Sequence, residues 1–173
     1  NGNLLLNKRP AISGADTFDY NLESADPFKN GTHLTDGLAD DEHWAALWCR
    51  DEGASYTIGS MYAVETIFTW ELETAYDLSS YKIVPKDQHY AWILEVSADG
   101  QNWDEAATVT DGGWSEEAAL NQKKVRHIRL TFTKAGACAV NELMLAIKEI
   151  ELYGTPAKTS DSDDTTTTTK GNS

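Results

Sequence analysis

Basic residues are scarce in this 173-residue chain: 14 Lys and Arg stand against 28 Asp and Glu, for a net charge of −14. Nucleic acids and anionic membrane surfaces both call for basic patches, so neither is an expected partner. Cysteine is scarcer still. Cys49 and Cys138 are too few for a disulfide framework, and their spacing leaves one bridge or two free thiols equally open. No apolar run is long enough to span a bilayer, so membrane insertion is not expected, and the N-terminal residues lack the pattern of a signal peptide. Catalytic signatures are missing as well: there is no HExxH, GxSxG, P-loop or GxGxxG. His33, His43, His89 and His127 are scattered, with no second histidine or cysteine at zinc-ligand spacing. With 28 carboxylates, pairs that could act as acid and base arise by chance and carry no weight. Catalysis is therefore not expected.

What the chain does have is enough apolar sequence for one domain, 40% hydrophobic with six Trp. Phe68, Trp70 and Leu72 alternate with Ile67, Thr69 and Glu71, and Trp92, Leu94 and Val96 alternate with Ile93, Glu95 and Ser97. Ile128, Leu130 and Phe132 repeat this period of two, as do Ile150 and Leu152. Turn signals at Ala98-Asp99-Gly100, Asp111-Gly112-Gly113 and Ala135-Gly136 separate the runs, and Leu78-Ser79-Ser80 reads as a short connection. Short antiparallel strands, about eight in number, imply an all-β jelly-roll β-sandwich. A helical turn or two is expected at most around Asp41–Trp48 or Asn141–Ala146. Trp70, Trp92 and Trp103 are assigned to the core. Residues 1–156 are expected to form the folded module. The segment 157–173, AKTSDSDDTTTTTKGNS, lacks apolar periodicity and reads as a disordered Thr/Ser/Asp-rich linker. Its three Asp against two Lys hold −1 of the net −14, which leaves −13 on the module. A chain ending in such a linker is expected to be a piece of a larger protein. Asn30-Gly31-Thr32 matches a glycosylation sequon, relevant only in a eukaryotic source and otherwise a turn.

Charge concentrates in the loop LTDGLADDEHW, where Asp36, Asp40, Asp41 and Glu42 surround a glycine. Carboxylates this close repel one another, and a hard cation with oxygen ligands relieves the repulsion; calcium is the natural candidate. The loop is not an EF-hand, because its glycine is second and Leu47 stands where a bidentate Glu belongs. This loop, the strand and turn ILEVSADGQNW (93–103) and the closing strand IKEIELYG (147–154) occur in that order. In these motifs residues 3–155 resemble the coagulation factor V/VIII type C, or discoidin, family, and most closely its bacterial family 32 carbohydrate-binding modules. The resemblance implies a galactose-binding-domain-like sandwich with a binding role.

It further implies a structural calcium held by side chains of Asp36 and Glu149, by backbone carbonyls of His33, Leu38 or Ala39, and Lys148, and by Asp41 or Glu42. The last choice stays open because the Asp36-to-Trp44 interval is one residue longer than the family's. Trp44 would wall this loop. In these modules a glycan binds on loops at one end, where an aromatic ring stacks on the sugar and polar side chains bond its hydroxyls. Lys86 stands where the family has arginine and donates as a point rather than a fork. His89 and Tyr90 follow it, Tyr62 and Glu65 precede the TIFTWEL strand, and Trp48 and Trp114, taken as loop residues, are candidate stacking platforms. Lys86, Asp87 and His89 read equally as a solvated turn, and each tryptophan as a buried anchor. The loop KAGACAVNELMLA (134–146) lacks the aromatic common in galactose binders. Two functions follow from the resemblance. One is a non-catalytic, monomeric, extracellular module, secreted or attached to the cell surface, that targets a larger enzyme to glycans, with terminal galactose-configured sugars as the expected ligand. The other is a discoidin-like module that binds protein or spaces neighbouring domains and has no glycan ligand.

Overall fold

The computed structural model describes residues 2–13, 31–40, 44–48, 66–86, 90–110, 117–134 and 144–158. The strands are β1 (Ala11–Ser13), β2 (Ala45–Trp48), β3 (Thr66–Pro85), β4 (Ala91–Ser97), β5 (Asp104–Val109), β6 (Ala118–Lys134) and β7 (Met144–Pro156). A single turn of 3₁₀ helix covers Gly31–Thr35. Every pairing is antiparallel, in the order β2-β7-β3-β6-β4-β5, with β1 added along β3. The all-β antiparallel expectation holds, and among the described residues no helix is long and apolar enough to cross a membrane.

The period of two explains which side chains go inside. Phe68, Trp70 and Leu72 of β3, Trp92, Leu94 and Val96 of β4, and Ile128, Leu130 and Phe132 of β6 are all buried, while Glu71 and Glu73 between them are exposed. Phe132 sits at the centre of the core, with Phe68 at 5.8 Å and Tyr90 and Trp92 each at 6.0 Å, all edge to face. That geometry sets the positive ring edge against the negative ring face.

Two layers arise because the long strands bend. Residues 67–69 of β3 lie between β1 and β6, whereas residues 80–84 pair with β7. Register shifts fall at Glu71/Tyr76, Tyr76/Leu78 and Leu78/Ser80. A bulge inserts a residue, bends the strand and swaps its faces. Inward positions are accordingly even up to Leu78 and odd at Tyr81 and Ile83. The two layers meet where Trp92 Nε1 of β4 donates to the Tyr81 hydroxyl of β3 at 3.1 Å.

The structure corrects several expectations. The strands are long, not short: β3 has 20 residues, β6 has 17 and β7 has 13. Leu78-Ser79-Ser80 is a bulged stretch within β3 and not a connection, because pairing with β6 and β7 continues on both sides of it. Residues 45–48 and 144–146, expected to tend towards helix, are strand, since Ala45–Trp48 pairs with Met144–Ile147 and each run satisfies the other's backbone. Trp103 is not in the core. It is half-buried, and the Arg129 guanidinium lies 4.1 Å from the centroid of its ring. The turns expected at Asp111–Gly113 and Ala135–Gly136, and residues 159–173, lie outside the described residues.

The turn at Ala98-Asp99-Gly100 is present, and one side chain builds it. Asp99 Oδ1 accepts the N–H groups of Gln101 and Asn102, each at 2.8 Å, and Asp99 Oδ2 accepts Asn102 Nδ2 at 2.9 Å. Gly100 takes the left-handed conformation at φ 77°. The N–H donors hold the Asp99 carboxyl well below the usual carboxylate range. A depressed folded-state pKa contributes stability above the unfolded value of about 3.9 and loses it as pH falls through the folded value. Asp99→Ala should therefore melt below the parent at neutral pH, and the gap should narrow in strong acid, as thermal denaturation at about pH 7 and about pH 2 would show.

Candidate functional site

The peptide of Ala146 in β7 ties the ends of β3 and β4 together. Its N–H donates to the Tyr90 hydroxyl at 2.9 Å, and its carbonyl accepts the Lys86 N–H at 3.0 Å. Tyr90 itself is buried against Phe132, so it anchors this end and does not face a ligand. Lys86 is half-buried, and its Nζ lies 5.5 Å from the centroid of the Trp44 ring. A cation over an aromatic face is attractive electrostatically. It also sets a hydrogen-bond donor beside a half-buried ring, the combination a sugar site needs. The reading of Trp44 as only a wall for the acidic loop missed this pairing.

Next to it, Glu149 of β7 stands opposite Val84 of β3. It is fully buried, and its Oε2 accepts the Gly37 N–H at 2.8 Å. Gly37 adopts φ 85°, a conformation open to glycine, and an added Cβ would meet Leu6 Cδ1 at 3.0 Å. Asp36 Oδ1 accepts the Leu38 N–H at 2.9 Å, and Asp36 Oδ2 lies 2.7 Å from His33 Nδ1. Burial pushes the Glu149 carboxyl up to about 8; the Gly37 N–H opposes that rise, and the neighbouring charge of Asp36 adds to it. Because the folded value exceeds the unfolded one of about 4.3, this group's contribution is largest in acid and is lost as pH rises towards 8.

The expected metal residues Asp36 and Glu149, 113 positions apart in numbering, thus meet. His33 touches Asp36 through its ring, Leu38 is 47% exposed, and Lys148 is half-buried beside Glu149 in β7. Asp41 and Glu42, the alternative third carboxylate, lie outside the described residues, and no group of three or more potential ligands forms among those described. The residues present do suit a hard cation. Glu149 Oε1 is buried without a hydrogen-bond partner, and an idle buried carboxylate oxygen is costly unless something neutralises it. Of the residues expected to contact sugar, Lys86 follows β3 beside the Trp44 ring. Trp48 lies in β2, paired with Met144, and not in a loop, while Tyr62, Glu65, His89 and Trp114 lie outside the described residues.

An antiparallel β-sandwich defines the class of fold. No family model matches the chain, and no curated protein matches it. Solved structures do. Chitosan-binding module 1 from a chitosanase/glucanase of Paenibacillus sp. IK-5 is 18% identical with a TM-score of 0.61, over 89% of this chain and 100% of that one. A family 32 module from Clostridium perfringens, in complex with GalNAc-β-1,3-galactose, is 15% identical with a TM-score of 0.58, over 87% and 99%. A Streptococcus pneumoniae fucose-binding module is 14% identical with a TM-score of 0.57, over 89% and 96%. The chain shares the fold of carbohydrate-binding modules. Two of these neighbours are named as binding modules, for chitosan and for fucose.

Tyr90→Phe leaves the buried Ala146 N–H without its acceptor and should cost about 1–3 kcal/mol, measured by denaturant unfolding.

Proposed function

We propose that this chain is a non-catalytic carbohydrate-binding module that holds a larger secreted or surface enzyme on glycans, with residues 1–156 as the module and 157–173 as its linker. The observation that supports this most is the Trp44–Lys86 pair at the loop end, on a fold shared with modules named for chitosan and fucose binding. Trp44 stacks against the sugar, and Lys86 donates to its hydroxyls. Terminal galactose-configured sugars are our finer reading. One small ring buries little area against the entropy of association, so single contacts are weak and retention depends on repeated glycans or several modules. On a glycan array, Lys86→Ala should retain its best glycan roughly ten-fold less well than the parent with the melting temperature essentially unchanged. Equal retention would remove the site, and no retention by the parent on a broad array would favour a protein-binding or spacer module.

We also propose that calcium is bound structurally at Asp36 and Glu149, with backbone carbonyls of His33, Leu38 or Ala39, and Lys148 completing the shell together with Asp41 or Glu42. The ion would neutralise the buried Glu149 carboxylate and tie the acidic loop to β7. A ligand that binds only the folded state stabilises by about 2.7 kcal/mol at a hundred times its dissociation constant. Calcium should raise the melting temperature of metal-stripped parent protein and leave Glu149→Gln unmoved. Identical melting of the parent in calcium and in EDTA would refute the site.

A further inference from the structure

β4 begins beside the Trp44–Lys86 end and delivers the chain to the Ala98–Trp103 turn at the opposite end. There, on the outward side of the β3–β6 pair, a cavity of about 410 Å³ opens, within the range of small-ligand pockets. Thr69 and Glu71 of β3, His127 of β6, and Asp99, Gln101 and Trp103 of the turn line it. Glu71 and His127 are cross-strand partners, so they share a face.

Three features make this a prepared site. Arg129, fixed by Glu95 at 2.9 Å, lies over the Trp103 ring and is not part of the cavity lining, so the ring is oriented before any ligand arrives. The turn is braced by Asp99, and Gly100 approaches His127 so closely that an added Cβ would stand 3.2 Å from its Cε1. Finally, hydrogen-bonding capacity is left over. Among the described residues the His127 ring makes an edge contact to Trp103 at 6.5 Å and no hydrogen bond, and the Gln101 amide makes none.

The lining also has a sign. It includes the carboxylates of Glu71 and Asp99 and no Lys or Arg; Arg126, which pairs with Glu71 at 3.0 Å, is not part of it. A half-buried indole with a few polar groups around it suits a pyranose ring, and the two carboxylates disfavour an anionic one.

We propose that this cavity is a second glycan site, at the end of the sandwich away from Lys86, that takes one neutral or amino-bearing pyranose unit and rejects uronic and sialic acids. The proposal rests on the glycan-binding reading above. Trp103 supplies the stacking surface, and Gln101, His127 and Thr69 bond the hydroxyls. Sites at opposite ends allow one module to bridge two glycan chains, and avidity then exceeds either affinity.

Amide and indole NMR spectra of the full chain, titrated with galactose, fucose, chitotriose and galacturonic acid, test it. At least one of the first three should shift the Trp103 indole N–H and the Gly100 and Gln101 amides, and galacturonic acid should not. Gln101→Ala and His127→Gln should each weaken that response about five-fold while leaving shifts at the Trp44 indole and the melting temperature unchanged. Sugar-induced shifts confined to Trp44 would overturn the second site and leave the first standing. Shifts confined to the Trp103 end would support the second site and remove the first. No shift with any of the four sugars would overturn both.

Discussion

The pairing of β3 with β6 is the constraint on which the rest of this structure depends. The two strands stay hydrogen-bonded from Thr66↔Phe132 to Tyr81↔Ala118 while the sheet changes layer around them. A backbone that left the ladder in mid-course would bury unpaired N–H and C=O groups, so the bend is made by bulges, which keep the strands together at the cost of local register shifts. This bend swaps the inward face from Leu78 to Tyr81, sets Tyr81 against Trp92, and returns the end of β3 to the side where β4 begins. Lys86, Trp44 and Glu149 are neighbours for that reason.

Electrostatics works against the fold at one place and with it at another. At Glu149 a carboxylate is buried in a chain that already carries net charge −14. It has one N–H donor on one oxygen and none on the other, and burial raises its pKa because ionisation there is unfavourable. At Asp99 the opposite holds: four donors converge on an exposed carboxylate, and its charge strengthens a turn. The difference lies in solvation and donor number, since both residues are ordinary carboxylates in water. Strain of the first kind is tolerated where an additional charge can complete the site.

Much of the core was legible because burial in a two-layer sheet imposes a period of two, and Phe68-Trp70-Leu72 or Ile128-Leu130-Phe132 displays it without ambiguity. The meeting of Asp36 with Glu149 was legible only through motif order, since nothing in the local sequence of either requires the other. Trp103 shows the opposite failure. A tryptophan beside a strand looks like core, but the group that claims its ring is Arg129 of β6, a strand that does not pair with β5, and only the packing of the turn against β6 brings the two together. Strand length was misjudged for a related reason, because Ser79 and Ser80 carry turn chemistry while β6 and β7 keep that segment in the ladder.

By itself the sequence determined the class of the fold, its hydrophobic faces, the Asp99 turn and the acidity of the loop at 36–42. Each of these follows from residues close together along the chain, through alternation, local hydrogen bonding or charge density. Tertiary structure alone decided that Lys86 lies over Trp44, that Glu149 is buried against Gly37, and that Trp103, His127 and Glu71 line one cavity. Those contacts are set by how three long strands bend and register against one another, and bends and registers are properties of pairs of strands, which no single stretch of sequence carries.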